Sequence, residues 1–181
     1  MTSLPGQTGA VVFWRLDDKR YEKTWDSGEG ARQKGGRWSP VGVPAVYCSL
    51  DPGTAILEVA VHKGFGTLNA VPHVLSAAAL EIPWDQVHVV QPEDIPNKLW
   101  RYPCAFSAAQ QEFGHRWLST HDFLAIPSSV SRRSWNLIFD ASRAVGKYKL
   151  QYQDDLDLDP RLDPVRPRLD PVRPRLDPPL R

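Results

Sequence analysis

The sequence predicts an α+β domain. Apolar runs of strand length outnumber the helical stretches, and the two do not alternate as a doubly wound parallel sheet requires. Two stretches carry helical spacing with recognisable ends, and a glycine-rich interval without either period separates the first strand from the second. A chain of 181 residues, 41% hydrophobic with seven Trp, fits one domain able to bury a real core.

Residues 10–14 form the first strand-length apolar run, closed by Arg15 and a polar stretch. Residues 21–42 hold five glycines (Gly28, Gly30, Gly35, Gly36 and Gly42) and read as one long loop. Long ordered loops in compact domains are usually binding elements. Residues 45–49 are a buried-type strand. Asp51 caps the next helix with Pro52 at its first position, and Gly64 ends it. Its apolar stripe is Ile56, Val59 and Ala60, so Glu58 points away from the stripe's centre at about 100° per residue. Residues 74–82 and 87–90 read as two strands divided by Pro83. Residues 107–118 have helical spacing, with Ala109, Phe113 and Trp117 at i, i+4 and i+8. Residues 123–126, 137–139 and 148–152 complete the set as short strands.

Composition narrows the function classes. Lys plus Arg number 22 against 21 Asp plus Glu, for a net charge of +1. A surface that tracks nucleic-acid phosphates normally carries a basic excess, so nucleic acid is not the expected partner. The pair Arg132-Arg133 reads as a solvated loop. Cys48 and Cys104 fit neither a zinc spacing nor a disulfide framework, which makes the reducing cytoplasm the expected compartment. No signal-peptide pattern and no apolar run of membrane-spanning length occurs, so no membrane is expected. His73, His88, His115 and His121 show no metal-ligand grouping, and no metal site is expected. His62, one turn after Glu58, reads as a helix-end residue favoured by the dipole.

One triplet points to chemistry. Arg37 follows Gly35-Gly36, Tyr47 ends the run Val43-Pro44-Ala45-Val46, and Glu58 lies inside the capped helix. Loop, strand and helix can thus bring a cation, an aromatic hydroxyl and a carboxylate to one cleft. That kit suits a ligand with phosphates, a flat ring and a sugar whose glycosidic bond is broken. Arginine holds phosphate bidentately and keeps its charge, and the glycines let backbone approach a diphosphate closely.

The stretch from Gly35 to Gly42, then Tyr47, then the segment ending at Glu58, resembles the RES domain family, the toxins of Xre–RES toxin–antitoxin pairs. The resemblance continues at Gly114-His115-Arg116-Trp117-Leu118, at Ile126-Pro127-Ser128-Ser129 and at Asn136-Leu137-Ile138, and spans roughly residues 10 to 162. It implies a fold like that of ADP-ribosyltransferases: a split, mostly antiparallel sheet with few flanking helices and a dinucleotide cleft between the halves. Asp140 and Ala141 stand where the family commonly has Asn-Pro followed by a nearby His.

By this resemblance Glu58 is the catalytic carboxylate, set beside the positive charge that develops on ribose as the nicotinamide bond breaks. Tyr47 stacks on the nicotinamide ring, and Arg37 grips the diphosphate. Ser128 hydrogen-bonds ribose or phosphate, with Ser129 as the alternative position. Asn136 either contacts the ligand or holds the Ser128 loop through its backbone. NAD+ is then a substrate rather than a cofactor, with phosphate as a candidate co-substrate. The leading reading is a growth-arresting toxin that cleaves NAD+ by hydrolysis or phosphorolysis. A second keeps the fold and transfers ADP-ribose to a protein, and a third is a non-catalytic nucleotide- or RNA-binding module. The implied partner is an Xre-type helix-turn-helix antitoxin that blocks the active site, with a homodimer inside the larger complex.

The end of the chain differs in kind. Residues 161–167 read Arg-Leu-Asp-Pro-Val-Arg-Pro, residues 168–174 repeat them, and a third copy begins at Arg175. Proline in every copy excludes a continuous helix, so 163–181 is expected to be an extended, disordered tail following a domain of residues 1–162.

Overall fold

A computed structural model describes residues 10–68, 70–102 and 107–156. Cys104 and the repeat tail, with the proposed boundary at 162, lie outside the described residues. The elements in order are β1 (Val12–Asp18), α1 (Glu29–Lys34), β2 (Ala45–Ser49), α2 (Pro52–Lys63), α3 (Phe65–Leu68), β3 (His73–Leu80), β4 (His88–Val89), α4 (Ala108–Leu118), β5 (Leu124–Pro127), β6 (Trp135–Asp140) and β7 (Tyr148–Leu156). Among the described residues the strands form one seven-stranded sheet in the order β4-β5-β6-β2-β1-β3-β7. Only β4–β5 is parallel. The fold is α+β with a mostly antiparallel sheet and few helices, as the sequence predicts. Among the described residues no helix is long and apolar enough to cross a membrane.

The sheet is whole in order but divided in the middle. β1 runs antiparallel to β3 over seven residue pairs and β2 pairs with β6 over five, whereas β1 and β2 share the single pair Trp14↔Ser49. Beyond that pair the two central strands diverge. Arg15 spans the gap, its guanidinium donating to the Tyr47 carbonyl at 2.8 Å.

Strand alternation puts the largest core on one face of the sheet, built from Phe13, Phe123, Phe139, Cys48, Leu137 and Ala78. The opposite face carries two smaller cores. Leu124, Ile126 and Ile138 pack there with Phe113 and Leu118 of α4 and with Trp38 and Trp100. Leu16 packs with Ala60, Ile56 and Val59 of α2. The cleft lies between these two cores, above the divided middle of the sheet. Cys48 is buried on the far side, and burial pushes its thiol to about 12, so it is an inert apolar residue.

Two parts of the sequence reading are corrected. The interval 21–42 is not an unbroken loop, for it contains α1, and a 3₁₀ turn over Lys19–Thr24 leads into it. α1 is six residues long, under two turns, too short for a hydrophobic period to register. The first strand does not stop at residue 14 but continues to Asp18. Arg15 and Asp17 look like a polar ending because their side chains pair with each other at 2.8 Å beside the cleft. The two predicted helices stand as expected. Asp51 and Ser107 cap them by accepting from Thr54 N and Gln110 N, and Gly64 ends α2 at φ 79°. Asp140, where the family commonly has Asn, accepts from Ser142 N at 2.8 Å and begins a tight turn.

Candidate active site

The cleft has a volume of about 480 Å³ and is bordered by Arg37, Tyr47 and Glu58 together. Volumes of roughly 300–1,000 Å³ are usual for small-molecule and cofactor sites. β1 and β2 make its floor together with Asn136 of β6, Ser49 lying opposite Asn136 in register. α2 makes one wall, presenting Ala55, Glu58, Val59 and His62 at the i, i+3, i+4, i+7 spacing of one helix face. The turn from Gly35 to Ser39 makes the other.

Glu58 is half-buried and held from beneath. Ser128 Oγ and Asn136 Nδ2 each donate to its Oε1 at 2.7 Å. Both donors land on the same oxygen, and among the described residues none donates to Oε2. The carboxylate is therefore fixed by one oxygen and free at the other, the arrangement required of a group that meets positive charge in a cleft.

Ser128 is buried, and its hydroxyl is fully engaged. Besides donating to Glu58, it accepts from Val130 N at 3.1 Å and Ser131 N at 3.0 Å. The structure thus sets Ser128 behind Glu58, and it is Ser129 that borders the cleft. Asn136 commits its amide to Glu58 and, through Oδ1, to Ser49 Oγ at 2.8 Å, not to the backbone of the Ser128 loop.

Tyr47 reaches the arginine turn. Its hydroxyl accepts from Trp38 N at 3.1 Å and lies 2.9 Å from Ser39 Oγ. Burial raises the phenol's pKa, against the lowering pull of those two hydrogen bonds and the nearby Arg37 charge. Gln111 of α4 grips the same turn from above, donating to the Gly36 carbonyl at 2.8 Å. Gly35 closes α1 at φ 71°, a left-handed value that favours glycine. Arg37 projects from this clamped turn, half-buried, and donates to the Trp100 carbonyl at 2.5 Å.

Sequence reasoning brings Arg37, Tyr47, Glu58, Ser128 and Asn136 forward, and the structure gathers all five. It misses Arg15, Asp17 and Ser49, which also border the cleft. The only sequence signal for the first two was a pair of charges two apart at the end of an apolar run, which also describes an ordinary strand ending. His62 borders the cleft, and the other four histidines do not. His88 stacks on Trp117 with ring centroids 3.8 Å apart. Among the described residues no group of three or more His, Cys, Asp or Glu could hold a metal ion.

Fold and site together define a class: an α+β domain with a divided antiparallel sheet and a doubly held carboxylate facing an arginine turn. The RES domain model matches residues 12–160, and the chain belongs to the RES domain family. Among its relatives, a protein named Toxin Res from Photorhabdus laumondii is 32% identical over 132 residues, covering 72% of this chain and 81% of that one. The Prs ADP-ribosylating toxin of a Sphingobium species is 30% identical over 143 residues, covering 75% and 85%. The fold matches a chain of the M. tuberculosis MbcT-MbcA toxin–antitoxin complex with a TM-score of 0.66 at 20% identity, over 82% of this chain and 85% of that one.

Proposed function

We propose that this protein is the toxin of a toxin–antitoxin pair and that it cleaves the nicotinamide–ribose bond of NAD+. The observation that carries this reading is the Glu58 carboxylate, pinned through Oε1 by Ser128 and Asn136 with Oε2 left to the cleft. As the glycosidic bond breaks, its electron pair goes to the nicotinamide nitrogen and neutralises the pyridinium. Positive charge develops at the ribose carbon, where a carboxylate oxygen stabilises it more in the transition state than in the ground state. Water or phosphate then bonds to that carbon and loses a proton. Arg37 meets the diphosphate from the opposite wall.

A second reading transfers the ADP-ribose to a protein nucleophile instead. It is favoured by the relative named an ADP-ribosylating toxin at 30% identity. The toxin role implies an antitoxin partner, which we expect to be a helix-turn-helix protein that covers the cleft of a homodimeric toxin, and action in the cytoplasm, where NAD+ is drawn on.

The purified protein incubated with NAD+ should release nicotinamide. ADP-ribose as co-product indicates hydrolysis, and its 1-phosphate, formed only when phosphate is present, indicates phosphorolysis. Nicotinamide release that begins only when a protein acceptor is added selects the transfer reading. No release under any of these conditions refutes both.

A further inference from the structure

We infer that Ser49 is a positioning residue for the reaction, acting through Asn136 to hold the Glu58 carboxylate in register. The inference rests on the NAD+ cleavage reading for its kinetic consequence and on the hydrogen-bond geometry for its substance.

A carboxylate oxygen only accepts hydrogen bonds, so the group facing Glu58 Oε1 from Asn136 has to be the NH2. That leaves the amide oxygen pointing back, 2.8 Å from Ser49 Oγ. The Ser49 hydroxyl rotates to suit and becomes the donor. The chain of hydrogen bonds is thereby given one direction, from Ser49 to Asn136 to Glu58, each step 2.7–2.8 Å. Glu58 sets which end of the Asn136 amide faces the carboxylate, and Ser49 secures that orientation by supplying the donor its oxygen needs. Without Ser49, the amide oxygen loses its donor and the amide is held from one end.

The backbone explains why this position can hold so tightly. Ser49 pairs in register with Asn136 on one side and with Trp14 on the other. It is the single residue of β2 at which the two halves of the sheet meet. Ser49 is 2% exposed, so water does not readily replace its hydroxyl. Removing it leaves the Asn136 oxygen with no protein donor at the half-buried floor of the cleft.

The test uses Ser49→Ala, which removes only an oxygen, and Ser49→Thr, which restores the hydroxyl on a residue suited to strands. The readouts are kcat and KM for nicotinamide release, the melting temperature, and the side-chain amide resonances of Asn136 in the ¹⁵N-labelled protein, assigned by their loss in Asn136→Asp. Ser49→Ala should lower kcat by about ten-fold, the scale of one neutral hydrogen bond. KM should stay within about two-fold, the melting temperature should change little, and the Asn136 amide resonances should move. Ser49→Thr should recover most of the lost kcat. An unchanged kcat in Ser49→Ala, a loss that resides in KM alone, or a loss in both variants that tracks a lowered melting temperature overturns the inference. If the wild-type protein releases no nicotinamide, the cleavage reading fails by itself and the amide resonances decide for Ser49. Asn136 resonances unmoved in Ser49→Ala then overturn the inference.

Discussion

The Tyr47 hydroxyl fills the space that a side chain at residue 36 would need, so Gly36 and Tyr47 together tie the arginine turn to the floor of the cleft. Any Cβ at Gly36 would overlap the phenol oxygen and the ring carbon bearing it. The phenol in turn holds Trp38 and Ser39, the two residues that follow Arg37 in the turn. Arg37 projects from the turn that this contact fixes, and its guanidinium donates to the Trp100 carbonyl.

Gly36→Ala should therefore lower both stability and activity. Overpacking at a close contact costs about 1–3 kcal/mol, a fall in Tm of roughly 2–10 °C for a domain of this size. Loss of nicotinamide release should exceed the loss of stability, since the displaced turn carries Arg37. A variant that melts and turns over like the wild type would show that the turn yields freely and that Tyr47 does not fix it.

Glu58→Gln should abolish most nicotinamide release while the protein stays folded. The amide keeps the shape and still accepts from Ser128 and Asn136, but the charge that meets the developing cation is gone. Loss of one such electrostatic element costs about 10²–10³ in rate. Near-normal release from the purified variant, with a normal melting curve, removes Glu58 from the mechanism.

Arg37→Ala distinguishes binding from bracing. A charged hydrogen-bond contact to the diphosphate in both ground and transition states is worth roughly 1.5–3 kcal/mol. KM for NAD+ should then rise about 10–100-fold with kcat largely retained. Arg37→Lys should recover part of this, because the charge remains while the bidentate geometry is lost. If Arg37 serves only to hold the Trp100 segment through its carbonyl, KM stays normal in the folded fraction and Tm falls.

Asp18 should give the fold an acid-sensitive element. The residue is buried, and its carboxylate accepts from the Arg20 backbone at 3.0 Å and from the Arg20 guanidinium at 2.8 Å. The Arg20 side-chain hydrogen bond, followed by the backbone one, lowers its pKa below the ordinary 3.8, outweighing burial, which raises it. A pKa depressed in the folded state contributes stability that is present above the unfolded value and is lost as pH falls through the folded one. The Tm gap between wild type and Asp18→Asn should thus be widest at neutral pH and should close on acidification below about pH 4. A gap that stays constant down to pH 2 would show that the Asp18 charge does not contribute.

The sequence by itself determined the elements whose causes are local. The cap at Asp51, Pro52 at the first helical position and Gly64 past the last turn specified α2 within its observed bounds, and with it the face that carries Glu58. The spacing of Arg37, Tyr47 and Glu58 carried the family, since each residue type is bound to a loop, strand or helix that the chain announces nearby. Tertiary structure decided what depends on partners far along the chain. The end of β1 was hidden because Arg15 and Asp17 satisfy each other, and Arg15 reaches the carbonyl of a residue thirty-two positions away. The roles of Ser128 and Asn136 were open for the same reason: their bonds to Glu58 join residues seventy and seventy-eight apart. Ser49 gave no signal at all, because a serine in an apolar strand acquires its meaning only from the amide laid opposite it by sheet register. Hydrophobic period and capping act over a few residues and are written in order along the chain, whereas a directed hydrogen-bond chain exists only once the sheet has set its register.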